Sequence, residues 1–168
     1  MGDDALDRDA RIKLSIGTVQ RGHDDGQFAL PSSLVFDHHR GLLLIADNSN
    51  HRVQVFSCDD EGCSLVSKLG EEGDQPGQLK NPYGIAIDHD HDRILIVDSG
   101  NDRVQSWSLS DQSFLSCVSQ FGSRDLEFQL PRDIAIDNHH HHIIIADSES
   151  HRLVFLSSID LSFLFSIG

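Results

Sequence analysis

Histidine and aspartate carry most of the chemistry available to this chain, which has 11 His and 27 Asp plus Glu in 168 residues. They cluster as Asp37-His38-His39-Arg40, Asp88-His89-Asp90-His91-Asp92 and Asp137-Asn138-His139-His140-His141-His142. Neutral imidazole and carboxylate are ligands for zinc, nickel or copper. His89, His91, His139 and His141 are therefore the candidate metal ligands. The competing reading is that His tolerates turn conformations and is simply solvated there. Packed sheets lie about 10 Å apart and a zinc–nitrogen bond is about 2 Å, so one ion joins two sheets only if both side chains reach across. On balance neither metal nor cofactor is expected. Eleven imidazoles titrating near pH 6.5 would also cancel much of the charge of −14 on acidification toward about pH 5.

A second recurrence pairs Asp47 with Arg52, Asp98 with Arg103 and Asp147 with Arg152, five residues apart each time. The carboxylate suits an Asx-turn, and the guanidinium could meet it across a hairpin or reach an adjoining sheet. Three equivalent copies suit a structural role better than one binding site. No Gly-x-Ser-x-Gly elbow, His-Glu-x-x-His helix or Gly-rich phosphate loop is present, and Tyr83 is the only tyrosine.

These residues are positioned by a unit written three times. Leu30-Pro31 with Leu34-Val35-Phe36-Asp37 returns as Asn81-Pro82 with Ile85-Ala86-Ile87-Asp88 and as Leu130-Pro131 with Ile134-Ala135-Ile136-Asp137. A second apolar run follows at 42–47, 94–98 and 143–147, and a third begins at Arg52, Arg103 and Arg152. A fourth ends at Leu69-Gly70, Phe121-Gly122 and Ile167-Gly168, with Ile16-Gly17 as an orphan copy. The runs are short, rich in aliphatic and β-branched residues, and bounded by Asp, Asn, Ser, Gly and His, which reads as strands joined by tight turns. Pro31, Pro82 and Pro131 stiffen the start of each first strand, where no ladder donor is needed. The second run is almost continuously apolar and needs cover on both faces. The third alternates, as in Arg52-Val53-Gln54-Val55-Phe56-Ser57, and is expected further from the interior. The His-rich loops should emerge together on one face, with the acidic loop Asp59-Asp60-Glu61.

The fold class is all-β: blades of four antiparallel strands, as in a β-propeller. The blades fall at about 26–70, 77–122 and 127–168, with a leading outer strand at 11–17 and a flexible acidic N-terminus at 1–10. A propeller needs roughly four to eight blades, so three make an incomplete ring, half of a six-bladed one. A piece of a longer chain, a homodimer completing the ring, or an open stack would account for this.

Composition narrows the setting. The net charge of −14 repels phosphate backbones and anionic membranes, so nucleic acid and membrane partners are not expected. The apolar stretches at 41–46 and 143–146 are far shorter than the roughly 20 residues of a spanning helix. The acidic start lacks the form of a secretory signal, and Leu6 breaks the myristoylation pattern begun by Met1-Gly2. Cys58, Cys63 and Cys117 lack metal-ligand spacing and read as free thiols in a reducing compartment, hence a cytoplasmic chain; a short bridge between Cys58 and Cys63 is the alternative.

Asp47-Asn48-Ser49-Asn50-His51-Arg52-Val53, Asp98-Ser99-Gly100-Asn101-Asp102-Arg103-Val104 and Asp147-Ser148-Glu149-Ser150-His151-Arg152-Leu153 resemble the NHL repeat. Gly26-Gln27-Phe28, Gly77-Gln78-Leu79 and Phe128-Gln129-Leu130-Pro131 match its opening, and the resemblance extends from about residue 14 to the end. The Trp-Asp signature of WD repeats and the paired glycines of kelch repeats are absent. The resemblance implies a propeller platform for proteins or RNA, here a non-catalytic scaffold for protein–protein interaction. It makes Asn50, His51, Asn101, Asp102, Ser150 and His151 the candidate docking positions. RNA is disfavoured because these loops lack excess basic charge and stacking aromatics. A metal-dependent lyase or hydrolase of the propeller type is the alternative, since some relatives resemble an amidating lyase that holds zinc through histidines near the axis.

Overall fold

The computed structural model describes residues 15–18, 20–119 and 126–168. Among these residues twelve strands form three four-stranded antiparallel sheets, each a simple meander. The first sheet holds β1 (Pro31–Asp37), β2 (Leu42–Asp47), β3 (Arg52–Cys58) and β4 (Cys63–Leu69). The second holds β5 (Pro82–Asp88), β6 (Arg93–Asp98), β7 (Arg103–Ser108) and β8 (Phe114–Val118). The third holds β9 (Pro131–Asp137), β10 (His142–Asp147), β11 (Arg152–Ser157) and β12 (Phe163–Ile167). Each first strand begins at the expected proline. The N-terminus at 1–10, most of the leading strand at 11–17, and Phe121-Gly122 lie outside the described residues; Ser15 to Gly17 are not in a strand.

The first strands stand side by side, β1 against β5 and β5 against β9, so the sheets follow one another like blades. The period-2 alternation of strand side chains explains how they adhere. Ile94 and Ile96 of β6 face the first blade, in one core with Leu44, Ala46, Val53, Val55 and Leu69. Leu95 and Val97 of the same strand face the third, in a second core with Ile134, Ile143, Ile145, Val154 and Leu156. A continuous apolar strand thus supplies both sides of one sheet. Each blade has a backward face toward its predecessor and a forward face toward its successor. The chain's only Trp, Trp107, lies in the first of these cores, edge-on to Phe114 at 5.8 Å between centroids.

Two expectations are corrected. The third strands of the first two blades are not peripheral: β3 and β7 are buried almost throughout, and exposure rises beyond them at β4 and β8, whereas β11 is only partly buried. Their polar side chains are internal because Gln54 and Gln105, both fully buried, find partners inside the blade. The thiols are not all free either. Cys58 and Cys63 face each other across the β3–β4 hairpin and form a disulfide, leaving Cys117 free and exposed. Asp59 N–H donates to Gly62 O and Asp59 Oδ1 accepts from Glu61 and Gly62 N–H, which closes the turn that brings the sulfurs together.

Candidate functional site

Each blade is locked by a buried carboxylate at the end of its second strand. Asp98 Oδ1 accepts Lys80 N–H at 2.6 Å, while Oδ2 accepts from Arg103 Nε at 2.7 Å, Asn101 Nδ2 at 2.9 Å and Gln105 Nε2 at 2.9 Å. Asp47 repeats this with Ala29 N–H, Arg52, Asn50 and Gln54. In the third blade Asp147 accepts from Gln129 N–H and Arg152, but Val154 replaces the glutamine. The carboxylate therefore ties its own hairpin to the residue two before the blade's proline. The far end of each guanidinium grips the segment leading into the blade: Arg52 donates to Asp24 O and Gln27 O, and Arg103 to Asp74 O, Gln75 O and Gln78 O. Charge-assisted bonds of this kind are among the stronger ones.

The six candidate docking positions divide. Asn50 and Asn101 point inward, onto Gly22 O and Gly73 O as well as the blade carboxylates. His51 and Asp102 hold the next blade: His51 Nδ1 accepts Asn81 N–H at 3.0 Å, and Asp102 Oδ1 accepts Leu130 N–H at 2.7 Å. Both occupy the left-handed region that ends the turn, as does His151. His151 is exposed and lines a pocket of about 410 Å³ on the third blade; Ser150 is half-buried beside it. Around them, connecting segments present exposed carboxylates at Asp24, Asp25, Glu71, Glu72 and Asp74, with Lys68 bonded to Asp25 at 2.6 Å. The Lys68 ammonium holds the Asp25 carboxyl below the ordinary carboxylate range.

The opposite face carries the His-rich loops. Asp37, His39 and His89 bring one donor atom each to within 4.8 Å of one another, across the joint between the first two blades. The two imidazoles lie 4.6 Å apart between centroids, and His89 Nε2 is 3.9 Å from Asp37 Oδ1. Two imidazoles and a carboxylate are chemically suitable for zinc. The carboxylate is already engaged, however: Oδ1 accepts His39 and Arg40 N–H, and Oδ2 accepts the Arg40 guanidinium at 3.3 Å. Burial pushes Asp37 upward, but those donors outweigh it and leave the group below its ordinary range. A cation at Oδ1, the oxygen nearer His89, would share it with those two backbone donors.

Of the four histidines expected from spacing, only His89 joins this trio. His91 bonds Asp88 at 2.9 Å, beside Arg93 at 2.5 Å. His139 packs edge-on to His140, which bonds Asp137 at 2.6 Å. His141 ends a turn in the left-handed region, its carbonyl accepting Ser158 N–H. His39 was not among the expected ligands, because only the juxtaposition of blades reveals its neighbour.

The family description "NHL repeat" matches residues 28–56 and 128–154, in the first and third blades. The chain is 22% identical over 105 residues to NHL repeat-containing protein 2 of Gallus gallus and 21% over 105 residues to that of Bos taurus. Each match covers 59% of this chain and 14% of the relative, so the chain spans a small part of those proteins. Among solved structures, the Pseudomonas aeruginosa periplasmic gluconolactonase aligns with a TM-score of 0.64 at 17% identity, over 82% of this chain and 39% of that one. A chain of the nidogen/laminin complex aligns with a TM-score of 0.62 at 13% identity, over 83% and 48%. Likeness at this level speaks for the shared blade architecture.

Proposed function

We propose that this chain, built from NHL repeats, is a non-catalytic scaffold for protein interaction that offers its connecting-loop face to a basic protein surface. The observation that carries the reading is the support beneath the exposed carboxylates. The backbone carbonyls of Asp24, Asp74 and Gln75 are held by Arg52 and Arg103 from inside the blades, so the side chains above them stand on a fixed base. Preorganised loops on a rigid scaffold bind without a large ordering cost. The net charge of −14 favours a basic partner over a polyanion.

The test is affinity capture with the wild-type chain and with an Asp24→Lys/Glu72→Lys/Asp74→Lys variant. Partners retained at about 0.1 M salt by the wild type should be lost from the variant, and from the wild type at about 0.5 M salt. An unchanged set of captured proteins would refute the proposal.

Metal-dependent hydrolysis is a second reading, favoured by the Asp37, His39 and His89 trio and by the gluconolactonase among its structural neighbours. Lactone opening that depends on added zinc and disappears in His89→Ala would replace the scaffold reading with this one.

A further inference from the structure

We propose that Asp37, His39 and His89 hold one divalent ion of the zinc class, and that this ion clamps the first blade to the second. Asp37 and His39 belong to the β1–β2 turn and His89 to the β5–β6 turn, and the turns meet because β1 and β5 lie side by side. Asp37 is fully buried, whereas both imidazoles are exposed. The carboxylate is the fixed member: two N–H groups of its own turn hold Oδ1, at 2.9 Å from His39 and 3.3 Å from Arg40. The imidazoles are the adjustable ones. Tetrahedral ligands at about 2 Å from zinc stand about 3.3 Å from one another. From donor atoms within 4.8 Å, small rotations of two exposed side chains complete the site.

The repeat itself does not require this trio, which sets it apart from residues that merely shape a turn. The strand pairs Asp37 with Leu42, Asp88 with Arg93 and Asp137 with His142 bring the three turns into register. At the joint between the second and third blades, the positions of Asp37, His39 and His89 are taken by Asp88, Asp90 and Asn138. Neither imidazole is kept there. The carboxylate is met instead by Arg93, which bonds Asp88 and reaches across to Ser158 O in the third blade. In the first blade Leu42 stands at the position of Arg93. Arg40 approaches from the other side, bonding Asp37 Oδ2 at 3.3 Å and Asp92 Oδ1 at 3.0 Å, and leaves Oδ1 toward His89. One joint therefore carries its own cation at the end of the first strand, and the other gathers two imidazoles around the equivalent oxygen.

The donor set selects the metal. Two neutral imidazoles and one carboxylate oxygen suit zinc, and with it nickel or copper, better than calcium or magnesium, which take oxygen ligands. The fourth position of a tetrahedral ion falls to water. His89 lies between Asp88 and Asp90 in sequence, and the chain carries a net charge of −14, so a dication enters a favourable field. Because the ligands come from two blades, the free energy of binding adds to that of the joint. The clamp needs neither a basic partner nor a lactone, and it stands or falls apart from both functional readings.

The test is a zinc titration by calorimetry on the full chain, purified without a nickel column, beside His39→Ala, His89→Ala and two controls on the same face, His91→Ala and His139→Ala. One ion per chain is expected. His39→Ala and His89→Ala should each weaken binding by about tenfold or more, because even the outer partners of a metal ligand are worth that much. The controls should bind like the wild type. Urea unfolding followed by Trp107 fluorescence supplies the second readout. Without zinc, His39→Ala and His89→Ala should unfold at the wild-type midpoint, since both side chains are exposed; saturating zinc should raise the midpoint of the wild type and not of these two. Equal zinc affinity in the wild type and His89→Ala would overturn the proposal, as would binding that is lost in His139→Ala. Binding that needs His39 but not His89, or that leaves the wild-type midpoint unmoved, would overturn the clamp.

Discussion

Among single residues, the blade carboxylates matter most. Removing Asp98 strands Arg103, Gln105, Asn101 and Lys80 N–H at once, three of them side chains pointed into a buried space. Breaking a buried charged pair by deleting one partner costs about 3–5 kcal/mol. Asp98→Ala should lose stability in that range, measured by urea unfolding with Trp107 fluorescence as the probe. Asp88 behaves differently with pH. Burial pushes its carboxyl upward, but Arg93 and His91 more than offset this and hold it below the ordinary carboxylate value. A group whose folded value is lowered contributes stability above its unfolded pKa of about 3.9, and that contribution fades as pH falls through the lower folded value. Asp88→Asn should therefore flatten the acid limb of stability measured from pH 5 to 2. The Asp–Arg pairs were readable because type and spacing recur three times. Gln54 and Gln105 were not, since a polar residue alternating with valine looks like one turned to solvent until a connecting segment is seen to fold over it. The hairpin disulfide was equally hidden, because a five-residue separation does not fix the register that sets Cys58 opposite Cys63.

For the elements, the decisive contacts are between first strands. At Gly84 in β5 an added Cβ would lie 2.8 Å from Asp133 Cα, 3.0 Å from Ile134 N and 3.1 Å from Arg132 O, all backbone atoms of β9. No side-chain rotation relieves such a clash, so the strands must separate. Gly84→Ala should cost about 1–3 kcal/mol, the usual range for overpacking, read as a lowered urea midpoint with an unchanged slope. A slope that changed as well would point to a less compact ensemble instead. Strand identity and order were legible because apolar runs bounded by turn residues leave little choice. Burial of the third strands was not, because it depends on the segment packed against them. The equivalence of His51 and Asp102 was also illegible: different residue types perform the same task, and only their shared backbone form and target make it visible.

For the molecule as a whole, recurrence made the three blades readable, but recurrence also conceals where one copy departs from the others. Val154 stands where the first two blades have glutamine, and so the segment leading into the third blade lacks the bond that Gln54 makes to Gln27 O and Gln105 to Gln78 O. Fewer internal bonds mean a lower free energy of local opening. Deuterium uptake by the amides of 126–130 should outpace that of 75–80 under native conditions, and uptake that is equal or slower there would contradict the inference. Val154→Gln should slow it. A polarity follows that no single blade possesses: the chain comes undone from its last sheet first, and a protease that catches this fraying would leave behind a shorter body containing the first two sheets.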